Sequence, residues 1–169
     1  MAQYSKFEEI VKQLKLCNIS NGTWVDAGCG YGTYSFPLST LVSEVIAIDV
    51  KPGNISYLKS QLSSISNITA QIKDFNYDSF ASEPVDGVLF GFSLHYHPNP
   101  SLALKNAFNH LKSRGKLIIF EYQRRKPVPW VPYPLPLNKL LSLLDSIGYF
   151  NVNVVLSTNR FYIVQGKKP

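Results

Sequence analysis

Short apolar runs alternate with helical patterns along this chain, and this alternation restricts its possible folds more than any other feature. The runs that read as β-strands are 23–27, 44–48, 69–73, 87–91 and 116–122. The patterns that read as helices cover roughly 5–17, 54–65, 101–113 and 137–147. Another helix is expected after the first strand and its glycine loop, but Pro37 prevents the first residue of this helix from being assigned. Two last runs, 152–156 and 160–164, flank a Ser-Thr-Asn turn and predict a hairpin.

This order of elements predicts one mainly parallel sheet with helices on both faces. Strands that alternate with helices pair in parallel, because each crossover returns the chain to the same end of the sheet. The hairpin adds an antiparallel strand, so we expect a Rossmann-like α/β fold with seven strands. The length of 169 residues favours a single domain over 1–169. Ligands of such sheets bind beyond the carboxyl ends of the strands, where the strand order reverses.

The loop after the first strand carries the strongest functional pattern, VDAGCGYG over residues 25–32. Glycines let the backbone turn sharply and approach a ligand closely, although a G-x-G alone is explained equally well by a tight turn. Here an acid, Asp26, precedes the glycines, and a second acid, Asp49, closes the next strand. The third glycine stands one residue earlier than in the dinucleotide fingerprint, which disfavours a pyrophosphate ligand and a nicotinamide-dependent oxidoreductase.

This pattern resembles motif I of the class I S-adenosylmethionine-dependent methyltransferases, and the resemblance covers about residues 20–165. It implies S-adenosyl-L-methionine as cofactor and S-adenosyl-L-homocysteine as product. Asp26 would interact electrostatically with the positive charges of the methionine part, and Asp49 would accept hydrogen bonds from the two ribose hydroxyls. The residues that the resemblance places at the cofactor are Asp26, Gly28, Cys29, Gly30, Tyr31, Gly32, Asp49, Val50, Asp74, Phe75 and Phe90.

The segment after the third strand is expected at the adenine. The family often presents an acid there to the adenine amino group and a side chain to the ring, which implies these roles for Asp74 and Phe75. The alternative is that Asp74 only caps a turn.

The segment after the fourth strand resembles the type 11, small-molecule branch of the family. Residues 94–100 read LHYHPNP, where that branch has a Leu-His-aromatic turn followed by Pro-Asp-Pro. His95 is expected at the mouth of the cleft, as a base or as a residue that orients the acceptor beside Tyr96. The alternative is a histidine that only stabilises the turn. No Asn-Pro-Pro-Tyr-like segment follows this strand, which argues against methylation of exocyclic amino groups of bases.

A proline-rich segment, 122–136, follows the fifth strand on the active-site side of the sheet. We call it the strap. Its prolines favour an extended course, and Trp130 and Tyr133 are candidates for the wall of an acceptor pocket. Arg124, with its neighbours Arg125 and Lys126, is a candidate for receiving an anionic group. The alternative is a crossover that packs its aromatic residues on the core.

Composition excludes several classes of protein. The opening residues lack the apolar core of a signal peptide and no stretch is long enough to span a membrane, so we expect a cytoplasmic protein without membrane contact. The two cysteines, Cys17 and Cys29, suit neither a zinc site nor a disulfide framework. No carboxylate cluster suggests a magnesium site, so we expect no metal. The net charge of +6 tilts slightly towards anionic partners such as nucleic acid.

Three functions remain open. The leading one is a methyltransferase acting on a small molecule, quinone-like or otherwise aromatic. The second keeps the cofactor but takes RNA or protein as acceptor, because little in the chain covers the acceptor side. The third is a non-catalytic S-adenosylmethionine-binding subunit that serves a partner. The oligomeric state is not predicted.

Overall fold

A computed structural model describes residues 2–124 and 126–169 of the chain, with side chains from residue 5 onward. The helices are α1 (Ala2–Leu16), α2 (Ser35–Ser39), α3 (Pro52–Ser60), α4 (Pro100–His110) and α5 (Leu137–Ile147). The strands are β1 (Thr23–Ala27), β2 (Glu44–Asp49), β3 (Ile68–Ile72), β4 (Val85–Gly91), β5 (Leu111–Tyr122), β6 (Phe150–Ser157) and β7 (Phe161–Lys167). No helix of the described segments is both long and apolar enough to cross a membrane.

The seven strands form one sheet in the order β3-β2-β1-β4-β5-β7-β6. Strands β1 to β5 pair in parallel, whereas β7 lies antiparallel between β5 and β6. The Rossmann-like fold expected from the alternating pattern is therefore confirmed, with β7 as its one antiparallel strand. The order reverses between β1 and β4, so the carboxyl ends of these two strands border the crevice in which such sheets bind ligands.

Two hydrophobic layers cover the sheet. One layer joins the sheet to α1, α2 and α3, and the other joins it to α4 and α5. Strand β1 shows how the alternation sorts side chains, because Trp24 points into the first layer while Val25 and Ala27 point into the second. The indole of Trp24 is fully buried over Gly87, where any Cβ would collide with the ring. Each fully buried apolar side chain contributes about 1.5–3 kcal/mol to the free energy of unfolding.

Two helices end earlier than their patterns predicted. Helix α3 stops at Ser60 instead of running to residue 65, and the Ser60 hydroxyl donates a hydrogen bond to the carbonyl of Tyr57 in its last turn. Helix α4 stops at His110 because Leu111 is buried and pairs with Val85 of β4. Strand pairing therefore overrides helical propensity there. The turn that follows holds Arg114 at φ 62.

Candidate active site

A cleft of about 800 Å³ opens at the carboxyl ends of the parallel strands. That volume is typical of sites for small molecules and cofactors. The lining residues are 28–31, 49–51, 74–76 and 91–93, with Lys6, Asp26, Thr33, Tyr34, Asn54, Tyr96, His97 and Tyr122. Nine of the eleven residues expected at the cofactor are among them; Gly32 and Phe90 are not.

The glycine loop is held tightly to the end of β2. The backbone N–H groups of Gly28 and Cys29 both donate to the carbonyl of Ile48, each at 2.9 Å. All three glycines have positive φ, which favours glycine at each position. A Cβ at Gly28 would collide with Ser93, whereas a Cβ at Gly30 would meet no atom within 4 Å. Gly30 therefore leaves open space beside the cleft, and the loop can approach a ligand there.

Gly32 has a packing role instead. A Cβ at this position would collide with the side chains of Leu58 and Phe36, so the glycine lets the loop lie against α3 and α2. Sequence reasoning could not separate this role from ligand contact, because both require the absence of a side chain.

Asp49 joins the loop to the strand that ends beside it. One carboxylate oxygen accepts a hydrogen bond from the N–H of Gly30 at 2.9 Å, and the other accepts from the N–H of Lys51 at 2.8 Å. A carboxylate oxygen has two lone-pair directions, so each oxygen can accept one more donor. The side chain is almost fully buried at the cleft wall and can offer these acceptors to a pair of hydroxyl groups.

Asp26 is a buried acid that lines the cleft at the end of β1. The pKa of its carboxyl is raised to about 7 in total, because burial raises it most, the hydrogen bond from Ser35 lowers it, and the nearby charge of Asp49 raises it. The Ser35 hydroxyl donates at 2.6 Å, a contact that the sequence did not reveal. A cation bound in the cleft would favour the charged carboxylate and lower this pKa again.

The loop after β3 presents an amide to the cleft. The Asp74 carboxylate accepts hydrogen bonds from the backbone and side-chain nitrogens of Asn76, both at 2.8 Å, so it stabilises the turn. The Asn76 side chain lines the cleft, and its Oδ1 is buried without a hydrogen-bond partner in the described residues. Sequence reasoning missed Asn76, although a D-F-N sequence after a strand is typical of such a turn.

Phe75 and Phe90 form a supporting pair. Phe75 lines the cleft, and its ring meets that of Phe90 edge to face at 5.6 Å between centroids. Phe90 is fully buried, so the structure places it behind Phe75 instead of at the cleft surface.

Aromatic side chains form the other wall of the cleft, and we call Phe92, Tyr96 and Tyr122 the aromatic wall. Phe92 has φ 57, which is rare for a bulky residue and costs backbone energy. Its ring packs on Tyr122 at 4.5 Å between centroids. Tyr96 is 59% exposed. Strain of this kind persists where surrounding contacts hold it, and here it directs an aromatic side chain into the cleft.

His95 lies behind this wall and not at the mouth of the cleft, where it was expected. It is 1% exposed, because the turn Leu94–Tyr96 points its first two side chains inward and only Tyr96 outward. Its Nδ1 is 2.9 Å from the carboxylate of Glu121, which is itself fully buried near the end of β5. The imidazole packs against Tyr96 and Tyr122, at 4.2 and 5.3 Å between ring centroids. Glu121 was missed, although it is the one acid in the run that forms the fifth strand, 116–122.

The strap packs on the protein by its aliphatic residues. Val131 and Leu135 are buried, and the N–H of Tyr133 donates to the carbonyl of His95 at 3.0 Å. The Trp130 and Tyr133 side chains are exposed, and neither they nor Arg124 line the cleft. Arg125 lies outside the described residues. Beyond Tyr122, the strap therefore adjoins the aromatic wall through its backbone, while the side chains of Trp130 and Tyr133 face solvent.

A family of methyltransferase domains matches the chain over residues 25–119, more than half of its length. The chain is also similar to two uncharacterised chloroplastic methyltransferases of Arabidopsis thaliana. One is 30% identical over 122 residues, covering 67% of this chain and 35% of that protein. The other is 28% identical over 123 residues, covering 68% and 35%. The chain thus spans about a third of the length of these relatives.

Solved structures share the fold. An S-adenosylmethionine-dependent methyltransferase from Aquifex aeolicus superposes with a TM-score of 0.79 at 22% identity, over 94% of this chain and 88% of that one. The N-methyltransferase NodS from Bradyrhizobium japonicum, in complex with S-adenosyl-L-homocysteine, superposes with a TM-score of 0.77 at 16% identity, over 96% and 86%. At these identities the likeness concerns the fold alone.

Proposed function

The chain belongs to the type 11 methyltransferase-domain family, and from this membership we propose that it transfers the methyl group of S-adenosylmethionine to a small-molecule acceptor. The observation that carries the proposal is the cleft itself, where two buried carboxylates and an unpartnered amide oxygen lie at the ends of neighbouring strands. S-adenosylmethionine carries an ammonium, a sulfonium, two ribose hydroxyls and an adenine amino group. The polar groups of the cleft are complementary to each of these.

Four side chains of the cleft are assigned roles at the cofactor. Asp49 accepts hydrogen bonds from the ribose hydroxyls through the lone pairs that Gly30 and Lys51 leave free. The Oδ1 of Asn76 accepts from the adenine amino group, with Phe75 against the ring. Asp26 faces the positive charges of the methionine part. The remaining cleft residues expected at the cofactor would contact it through the loop backbone or by packing.

The acceptor would occupy the space beside the aromatic wall. S-adenosylmethionine supplies an activated methyl group, so the protein has to align the acceptor and remove a proton where the acceptor carries one. Tyr96 is assigned to acceptor contact, with His95 as the base behind it. Arg124, Trp130 and Tyr133 stay predictions as acceptor contacts, because they lie on the strap outside the cleft lining. The single-domain organisation and the cytoplasmic location also stay predictions.

Isothermal titration calorimetry tests the cofactor. S-adenosylhomocysteine should bind in the cleft, whereas NAD should not bind measurably. Asp49→Asn places an amide N–H group against the N–H of Gly30 or Lys51, so one loop bond and one ribose acceptor are lost. The loss should be on the order of 1–3 kcal/mol of binding free energy. Asp145→Asn, on an exposed position of α5, is the matched control and should leave the affinity unchanged. A folded wild type that binds NAD in preference would contradict the proposal.

A further inference from the structure

The carboxylate of Glu121 is the centre of a buried hydrogen-bond cluster that joins β5 to the turn Leu94–Tyr96. One oxygen accepts from the backbone N–H of His95 at 3.1 Å, and the other accepts from the backbone N–H of Tyr122 at 3.0 Å. The Nδ1 of His95 lies 3.1 and 2.9 Å from the two oxygens. Because both oxygens already act as acceptors towards backbone amides, Nδ1 is assigned as the N–H donor.

The other nitrogen of this imidazole has no hydrogen-bond partner in the part of the chain that the structure describes. His95 Nε2 is buried and makes no hydrogen bond within the described residues. A buried polar atom without a partner is uncommon in native proteins and calls for an explanation, such as a role in binding or catalysis. The two rings that pack on the imidazole, Tyr96 and Tyr122, both line the cleft. Tyr96 is more than half exposed, so its side chain can turn away while little buried area is lost.

We propose that Glu121 is a positioning residue that fixes the His95 imidazole with its Nε2 lone pair towards the acceptor, and that the acceptor is an aromatic ring bearing an ionisable hydroxyl group. The proposal rests on the proposed methyltransferase function and deepens it. Phe92 and Tyr122, the two other members of the aromatic wall, supply flat apolar surfaces for such a ring. Tyr96 covers the imidazole until the ring takes its place.

The reaction step balances without another reactant. The hydroxyl proton of the acceptor passes to Nε2, and the oxygen lone pair forms a bond to the methyl carbon. The carbon–sulfur bond breaks, and its electron pair stays on sulfur. The imidazolium formed in this way is stabilised by the carboxylate of Glu121 at 2.9 Å, and it returns its proton to solvent when the product leaves.

The substitution Glu121→Gln tests this arrangement. In the wild type, each oxygen of Glu121 accepts one backbone N–H group, from His95 and from Tyr122. Glutamine offers only one oxygen acceptor, and its NH₂ group replaces the other. If the NH₂ group faces Nδ1, it donates there and moves the imidazole proton to Nε2, which is then no longer a base. The effect should therefore appear in kcat for acceptors that must lose a proton, and not in cofactor affinity.

Two matched acceptors serve as probes, 2-naphthol and 2-naphthalenethiol. A thiol is more acidic and more nucleophilic than a phenol, so its methylation depends less on a base. We expect Glu121→Gln to lower kcat for 2-naphthol by about 10²-fold or more, with a much smaller loss for the thiol. The ratio of the two rates is independent of how much of the variant is folded. Tyr162→Phe is the structural control, because it removes a buried hydrogen bond to the Leu135 carbonyl without touching His95; it should leave the ratio unchanged.

An unchanged ratio in Glu121→Gln would overturn the positioning role. Failure of the wild type to methylate 2-naphthol would overturn the assigned acceptor class. Neither result would remove the proposed methyltransferase function, which stands or falls on binding of S-adenosylhomocysteine. Imidazole ¹⁵N NMR gives a second readout, because His95 should carry its proton on Nδ1 in the wild type when neutral and on Nε2 in Glu121→Gln. The Nε2-protonated form in the wild type would also overturn the proposal.

Discussion

Cofactor affinity should depend on pH through Asp26. Burial raises the pKa of this carboxyl to about 7 in the free protein, whereas the positive charges of S-adenosylmethionine favour the ionised form. The ionised fraction of such a group falls from about nine-tenths at pH 8 to about one-tenth at pH 6. The dissociation constant for S-adenosylmethionine should therefore rise by about tenfold between these two values.

Calorimetry at several pH values measures this change, with Asp26→Asn as the reference. The variant cannot ionise at this position, so the difference between variant and wild type isolates Asp26 from the ligand's own amino group. Below pH 7 the wild type should also release a proton on binding, which titrations in two buffers of different ionisation enthalpy can count. Equal pH dependence in wild type and Asp26→Asn would refute the reasoning.

The same ionisation links pH to stability with a definite sign. The folded-state pKa of Asp26 lies above the ordinary value of 3.8 for an aspartic acid, so its contribution to stability is fully present below that value and is lost as pH rises to about 7. Without ligand, Asp26→Asn should therefore lose less stability than the wild type between pH 4 and pH 8, on the order of 4 kcal/mol less. Thermal unfolding at the two pH values measures the difference. The opposite order would mean that the buried carboxylate has a cationic partner.

Three further predictions test other parts of the structure. Asn76→Leu should weaken S-adenosylhomocysteine binding by about 1–3 kcal/mol, measured by calorimetry, and unchanged affinity would remove the amide from the adenine site. The buried Lys116 ammonium donates to the carbonyls of Cys17 and Asn18, which follow α1. Lys116→Met should therefore lower the unfolding free energy by about 1–3 kcal/mol, and an unchanged urea midpoint would contradict this. If RNA were the acceptor, its affinity for the protein would fall steeply as salt concentration rises. In filter-binding assays we expect no such salt dependence, and no change in RNA retention when Arg124 and Lys126 are replaced together.

Features that depend on local pattern were predictable from the sequence. The alternation of strands and helices predicted the parallel pairing of β1 to β5, and the glycine spacing located the loop that borders the cleft. The position of Asp49 was predictable because it is the last residue of β2, and the carboxyl ends of parallel strands lie along the same edge of the sheet. The hairpin was also readable, but not the insertion of β7 between β5 and β6, since sequence pattern does not specify which edge a strand joins.

Features that depend on contacts between distant residues were not predictable. His95 was expected at the cleft mouth, yet Glu121 lies 26 positions later and meets it only because β5 pairs beside β4. The early end of α4 has the same origin, because Leu111 is recruited into that pairing. Asn76 was missed because the sequence does not show which atom of its amide is used. The amide nitrogen donates to Asp74, and this leaves the oxygen without a partner among the described residues. For His95 and Leu111, pairing across the fold decides the role of the residue, whereas the amide of Asn76 is held by a turn contact two residues away.

A crystal structure of the protein with S-adenosylhomocysteine tests the central claim most directly. The ribose hydroxyls should lie within hydrogen-bond distance of Asp49, the adenine amino group at Asn76, and the amino acid part beside Gly30 and Asp26. Density for the ligand in the shallow groove between Phe7, Phe36 and Asn67, with the main cleft empty, would contradict it.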